Sequence, residues 1–104
     1  MVTKNAFEKA YRTTDGMTFG LALEALKMGK KVAREGWNGK GMALILTPGS
    51  QITVSEGRPL SAFFPIGSIV SYQPHIDMKT AQGSVVPWLC SQTDMLAEDW
   101  IILK

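Results

Sequence analysis

The apolar positions of this chain change their period once. Phe19, Ala22, Leu23 and Leu26 recur at steps of three and four, which is one face of an α-helix. Thr18 can cap its start, and Gly29 stands where a helix-ending glycine belongs. Lys27, Lys30 and Lys31 surround the negative end of the helix dipole. The pattern predicts a helix over 18–28. Before it, Asn5 to Arg12 could form a short helix, which Thr13-Thr14-Asp15-Gly16 breaks.

Beyond Gly29 the spacing becomes that of strands. Lys31–Arg34 is a short one, and Met42–Thr47 is an apolar run stopped by Pro48-Gly49. Gln51–Val54 and Ser68–Tyr72 are also β-prone, and Arg58 to Pro65 reads as a loop anchored by Phe63 and Phe64. His75-Ile76-Asp77-Met78-Lys79 alternates polar and apolar residues like a half-buried strand. Gln82-Gly83 suggests a hairpin turn into Ser84–Val86, Pro87 to Ser91 a short helix, and Trp100–Leu103 a closing strand. One main N-terminal helix, a short C-terminal helix and a small antiparallel β-sheet make an α+β fold.

One segment does not serve this pattern. Arg34-Glu35-Gly36-Trp37-Asn38-Gly39-Lys40-Gly41-Met42 places a tryptophan, an amide and two cations among three glycines. Small neighbours leave the indole face available for a ligand. Arg34 and Lys40 can supply positive charge beside it, and Asn38 offers a donor and an acceptor. The set suits a nucleotide, with a flat base to stack and a phosphate to neutralise. A glycine-rich turn around a structural Trp is the competing reading.

Composition narrows the class. At 104 residues, with 45% hydrophobic and 19% charged residues, the chain is of a size for one globular domain with a small core. Its net charge of +2 is too small to argue for duplex nucleic acid. The charge is unevenly placed: net +4 over residues 1–60 and net −2 over 61–104. The two halves could meet between subunits or flank a site that uses both signs. Cys90 is alone, so no internal disulfide forms, and one His with one Cys makes no zinc site. The first residues lack the apolar run of a signal peptide, and no stretch reaches the roughly 18 apolar residues that span a membrane. These features point to the cytoplasm.

Catalytic patterns are missing. There is no nucleophile elbow, zinc-protease motif or phosphate-binding loop. His75 and Asp77 share a strand face and could exchange protons, although a hydrogen-bonded structural His is the plainer reading. Asp94, Glu98 and Asp99 match no calcium loop and read better as a solvated acidic surface. Of the three tryptophans, Trp100 belongs to the core, Trp88 could serve either purpose, and Trp37 is the candidate stacking platform.

Two blocks carry a resemblance. The first runs from Met17-Thr18-Phe19-Gly20 through Glu24–Lys27 to Gly29-Lys30-Lys31-Val32-Ala33-Arg34-Glu35-Gly36-Trp37-Asn38-Gly39-Lys40-Gly41-Met42. The second comprises Tyr72-Gln73-Pro74-His75-Ile76-Asp77-Met78-Lys79-Thr80, Val86-Pro87-Trp88-Leu89 and Ser91 to Trp100. Together they resemble the second family of Thoeris anti-defence proteins, over about Met17 to Leu103. Residues 1–16 lie outside the likeness as an N-terminal extension, leaving 17–104 as the domain. The resemblance implies a phage or prophage sponge and not an enzyme. It implies binding, without degradation, of a cyclic nucleotide signal: glycocyclic ADP-ribose, and for some relatives cyclic dinucleotides. The downstream effector then stays inactive in the cytoplasm of the infected bacterial host. It further implies a homotetramer with ligand pockets between protomers, no membrane and no cofactor.

Carried onto this sequence, Trp37 would stack on the adenine and Asn38 would bond the base or a ribose hydroxyl. Arg34 and Lys40 would neutralise the pyrophosphate. Tyr72, His75 and Asp77 would contact ribose, and Gln92, Asp94 and Asp99 would add hydroxyl or base contacts. The alternative reading is a single-stranded nucleic-acid-binding protein that uses the same aromatic and basic groups.

Overall fold

The structure, a computed structural model, describes residues 16–37 and 40–104. The expected helix between residues 5 and 12 lies outside the described residues. Helix α1 spans Phe19–Lys27. The Thr18 hydroxyl accepts from the Leu21 N–H at 3.4 Å, and Gly29 follows the helix with φ of 82°. Both ends therefore form where the sequence places them. Its buried side chains are Ala22, Ala25 and Leu26.

Five strands form the main sheet: β1 (Lys31–Arg34), β2 (Ala43–Thr47), β5 (His75–Lys79), β6 (Val85–Pro87) and β7 (Trp100–Leu103). They lie in the order β6-β5-β2-β1-β7, with every pair antiparallel. Met17 pairs with Trp100 on the outer side of β7, exchanging backbone hydrogen bonds of 3.0 and 3.1 Å. The sheet is α+β in composition and antiparallel throughout, as the pattern required.

Helix α1 covers one face of this sheet. Met17, Ala22, Ala25, Leu26, Val32, Leu44 and Trp100 make the fully buried cluster between them. Leu46, Ile76, Met78 and Ile102 continue it at alternate strand positions. An aromatic group closes one end. Trp100 has its ring 5.3 Å from Phe19, 5.4 Å from Trp37 and 6.1 Å from Trp88. Its indole N–H donates to the Asp94 carbonyl at 2.9 Å. A large side chain with its one polar atom bonded is a stable core element.

Strands β3 (Ser50–Thr53) and β4 (Ile69–Tyr72) form a separate two-stranded antiparallel ribbon. It prolongs β2 and β5 past Pro48-Gly49 and Gln73-Pro74 as an arm. A 3₁₀ turn over Pro59–Ala62 lies in its loop. Here the expectation of aromatic anchors fails: Phe63 is 82% exposed and Phe64 is exposed as well. Val54 is the arm residue that is buried, and among the described residues Phe63 and Phe64 find no such cover.

The second correction concerns the short helix. Residues 87–91 are not helical; β6 runs through Pro87, and the Trp88 N–H donates to the Ile76 carbonyl at 3.0 Å. β6 is an edge strand, where a residue without an N–H is tolerated. The helix, α2, instead spans Gln92–Leu96. Ser91 caps it by accepting from the Asp94 N–H at 3.1 Å. The predicted turn at Gln82-Gly83 does form, with Thr80 and Ser84 joined across it.

Replacing Trp100 by Ala removes the common neighbour of three rings and leaves the Asp94 carbonyl with only the longer bond from the Ala97 N–H. The expected cost is about 3–5 kcal/mol in urea denaturation followed by circular dichroism; a loss under 1 kcal/mol would mean that Trp100 is not the hub of the core.

Candidate functional site

The 3₁₀ turn Glu35–Trp37 follows directly on β1 and carries the chain toward Lys40. Its position is fixed from the other end of the sequence. Arg34 Nε donates to Asp99 Oδ1 at 2.8 Å, Nη2 to Asp99 Oδ2 at 3.4 Å, and Nη1 to Asp94 Oδ1 at 2.8 Å. Asp99 Oδ2 also accepts the Gly36 N–H at 2.8 Å. A Cβ at position 36 would stand 2.8 Å from that same oxygen, so any larger residue would have to push the carboxylate aside. The Glu35 N–H adds a bond to the Asp99 carbonyl. The basic and acidic halves of the chain thus meet within one protomer.

The electrostatics follow from the geometry. Bidentate contact with the guanidinium holds the Asp99 carboxyl below its ordinary value, with partial burial opposing and the Gly36 N–H assisting. Hydrogen bonds to Asp99 and then Asp94 raise Arg34, so it remains charged. Two carboxylates against one guanidinium leave this corner with a net negative charge.

Trp37 leaves the turn half-buried and stands edge-on to Trp100. It is therefore held by a tertiary neighbour rather than standing free between glycines. Its remaining surface lines a cleft of about 410 Å³. Alongside it lie Arg34, Lys40, Lys31, Lys79, Ile101 and Leu103, over Ala33 and Ala43. Lys31, Ala33, Ala43, Lys79, Ile101 and Leu103 belong to the sheet face opposite α1, and Arg34, Trp37 and Lys40 border it from the end of β1 and the turn that follows. Ala33 and Ala43 are 6% and 8% exposed although no helix among the described residues covers them. Small side chains between longer ones make the depression.

The other expected site residues are dispersed. His75 and Asp77 lie on the same open face as Lys79 but outside the cleft's lining. His75 Nε2 is 3.1 Å from Asp77 Oδ2, and Thr47 Oγ1 donates to that oxygen at 2.6 Å. His75 Nδ1 is 3.0 Å from the Gln73 carbonyl. Tyr72 lines a hollow in the arm with Arg58 and Leu60. Gln92 is exposed on α2, while Asp94 and Asp99 are turned onto Arg34. Asn38 lies outside the described residues. Sequence reasoning missed Lys31 and Lys79. Both sit at outward positions of period-2 strands, but only the pairing order brings them to one cleft. Among the described residues no three His, Cys, Asp or Glu side chains are arranged to hold a metal, and no helix is long and apolar enough to cross a membrane.

Comparison with known proteins settles the kinship. Residues 17–103 match the Tad2-like family, described as the Thoeris anti-defense 2-like domain. The chain belongs to this family. A similar protein is Thoeris anti-defense 2 of Bacillus phage SP01, 41% identical over 91 residues, which cover 85% of this chain and 96% of that protein. The chain is accordingly a Thoeris anti-defence protein of phage type.

Two predictions arise from this geometry. Arg34→Lys keeps the charge and loses the fork that spans Asp94 and Asp99, so it should cost about 1–3 kcal/mol in urea denaturation. A neutral result would mean that the turn is held by other contacts. The second concerns His75, the chain's one histidine. The Gln73 carbonyl, and then the Asp77 carboxylate, favour its charged form and raise it above its ordinary 6.5. Its stabilising contribution is therefore fully present below the unfolded value and is lost as pH rises through the folded one. Proton NMR titration should place its midpoint above 6.5, and Asp77→Asn should lower that midpoint.

Proposed function

We propose that this protein sequesters a cyclic nucleotide immune signal, glycocyclic ADP-ribose, without degrading it. Cyclic dinucleotides form a second class of ligand for the same activity. Capture occurs in the cytoplasm of the infected host and keeps the effector from being activated. The observation that carries this reading is the cleft, where an indole anchored on one edge stands beside a group of lysines over an alanine floor. An aromatic platform and fixed cations match a base and its phosphates.

The reading also accounts for the cleft's open side. Sequestration of micromolar signal requires nanomolar affinity, about −12 kcal/mol. One stacked base contributes roughly 1–3 kcal/mol. Phosphate contacts, ribose hydrogen bonds and enclosure must provide the remainder. Enclosure can come from a second protomer. Ile45 and Val85 are exposed on the same uncovered sheet face, 42% and 59% respectively. A homotetramer that joins such faces would bury them and close the pocket. Tyr72, His75, Asp77 and Gln92 lie outside the cleft lining of one protomer, so in this reading their ligand contacts come from a neighbouring copy. Trp37 stacks on the base, Asn38 bonds it or a ribose hydroxyl, and Lys40 faces the phosphates. A cyclic ligand loses little further freedom on binding, which favours tight capture.

The deciding experiment incubates the protein with glycocyclic ADP-ribose, removes unbound ligand by filtration, denatures the protein with heat and chromatographs what is released. Intact ligand in fixed ratio to protein is expected. A changed product would replace sequestration by catalysis and direct attention to His75 and Asp77. Retention of oligonucleotides in place of the signal would favour the single-stranded nucleic-acid reading. Trp37→Ala should reduce capture by about tenfold or more, the equivalent of one stacked base. Its melting curve, measured alongside, separates loss of stacking from loss of the contact with Trp100.

A further inference from the structure

We infer that the ligand's phosphates are held by Lys31 and Lys79 together with Lys40, and that Arg34 is a positioning residue for the Trp37 turn. The inference rests on the sequestration reading of this cleft and names the groups within it that meet the anion.

Arg34 is poorly suited to the phosphate. Its charge is met by Asp94 and Asp99, each at 2.8 Å. An incoming phosphate would compete with both carboxylates and be repelled by them. The lysines differ. Among the described residues, no carboxylate forms an ion pair with Lys31, Lys40 or Lys79. Lys79 Nζ is steered by two neutral acceptors, the Gly41 carbonyl at 2.8 Å and the Thr80 carbonyl at 3.4 Å. Carbonyls fix the direction of the ammonium and leave its charge uncompensated. That is a preorganised cation, aimed beside the turn that carries Trp37.

Sheet register explains the convergence. Lys79 pairs with Ala43, and the β1–β2 register carries that row on to Ala33. Lys31 lies two residues from Ala33 on the same face. At ~4.8 Å between strands and ~3.4 Å per residue, the two lysine Cα atoms are about 12 Å apart. Flexible four-carbon stems from both sides can close on one diphosphate lying over the alanines. Glu35 is the acidic residue in the cleft lining. The lining also holds Arg34, whose charge Asp94 and Asp99 meet; the cations still outnumber the carboxylates, which suits an anionic ligand.

The test is calorimetric titration of the full chain with glycocyclic ADP-ribose at low and moderate salt. Lys31→Gln and Lys79→Gln should each weaken binding about tenfold and flatten its salt dependence. Lys31→Arg should retain most of the affinity. Lys79→Gln also loses the bond to the Gly41 carbonyl, so Lys31→Gln, which breaks no hydrogen bond, is the cleaner variant. Wild-type binding with unchanged affinity and salt dependence in both Gln variants overturns the lysine assignment and spares sequestration. A wild type that ignores the signal overturns sequestration; inorganic pyrophosphate then decides the anion site. Shifts of the Lys31 and Lys79 side-chain NMR signals on its addition would uphold that site, and their absence would remove it.

Discussion

The fork of Arg34 across Asp99 and Asp94 is the interaction on which the site depends. It joins the end of β1 to the segment before β7, residues 60 and 65 positions apart in the chain. Asp99 also takes the Gly36 N–H, so one carboxylate holds both the cation and the backbone of the turn. The turn in turn presents Trp37. Partial burial makes these charge-assisted bonds stronger than surface pairs, and their shared acceptor makes them mutually reinforcing.

This anchoring separates two tasks that sequence proximity would merge. Arg34 and Trp37 are three residues apart, yet one is engaged by carboxylates and the other faces the cleft. The positive groups that remain uncompensated come from strands β1 and β5 and from Lys40. The cleft therefore has a rigid back, set by β-sheet register, and a wall held by an ion pair. Rigidity of that kind reduces the ordering cost of binding.

The sheet's two faces separate the buried core from the cleft. Val32, Leu44 and Trp100 fill the face beneath α1, while alternate residues Lys31, Ala33, Ala43 and Ile45 look the other way. A one-residue slip in register would exchange these sets, so the core that α1 buries also fixes which side chains form the cleft. The arm follows neither face. It buries Val54 but leaves Phe63, Ile66 and Ile69 exposed among the described residues.

Local chemistry was legible in the sequence where it acts over a few residues. The 18–28 periodicity, the Thr18 cap, the stop at Gly29 and the Gln82-Gly83 turn are all short-range effects, and each forms as read. So do most strands and the α+β class. The 87–91 helix was misplaced because Pro87 suits either a helix start or an edge strand, and only pairing with β5 decides between them. Phe63 and Phe64 read as anchors because hydrophobicity alone does not say whether a second layer exists. At the site, the Arg34–Met42 segment supplies part of the cleft lining, and His75 and Asp77 are paired neighbours. The partners of Arg34, the ring behind Trp37, and the company of Lys31 and Lys79 came from the tertiary structure. Those contacts join residues distant in sequence, and strand order, which no local propensity encodes, brings them together.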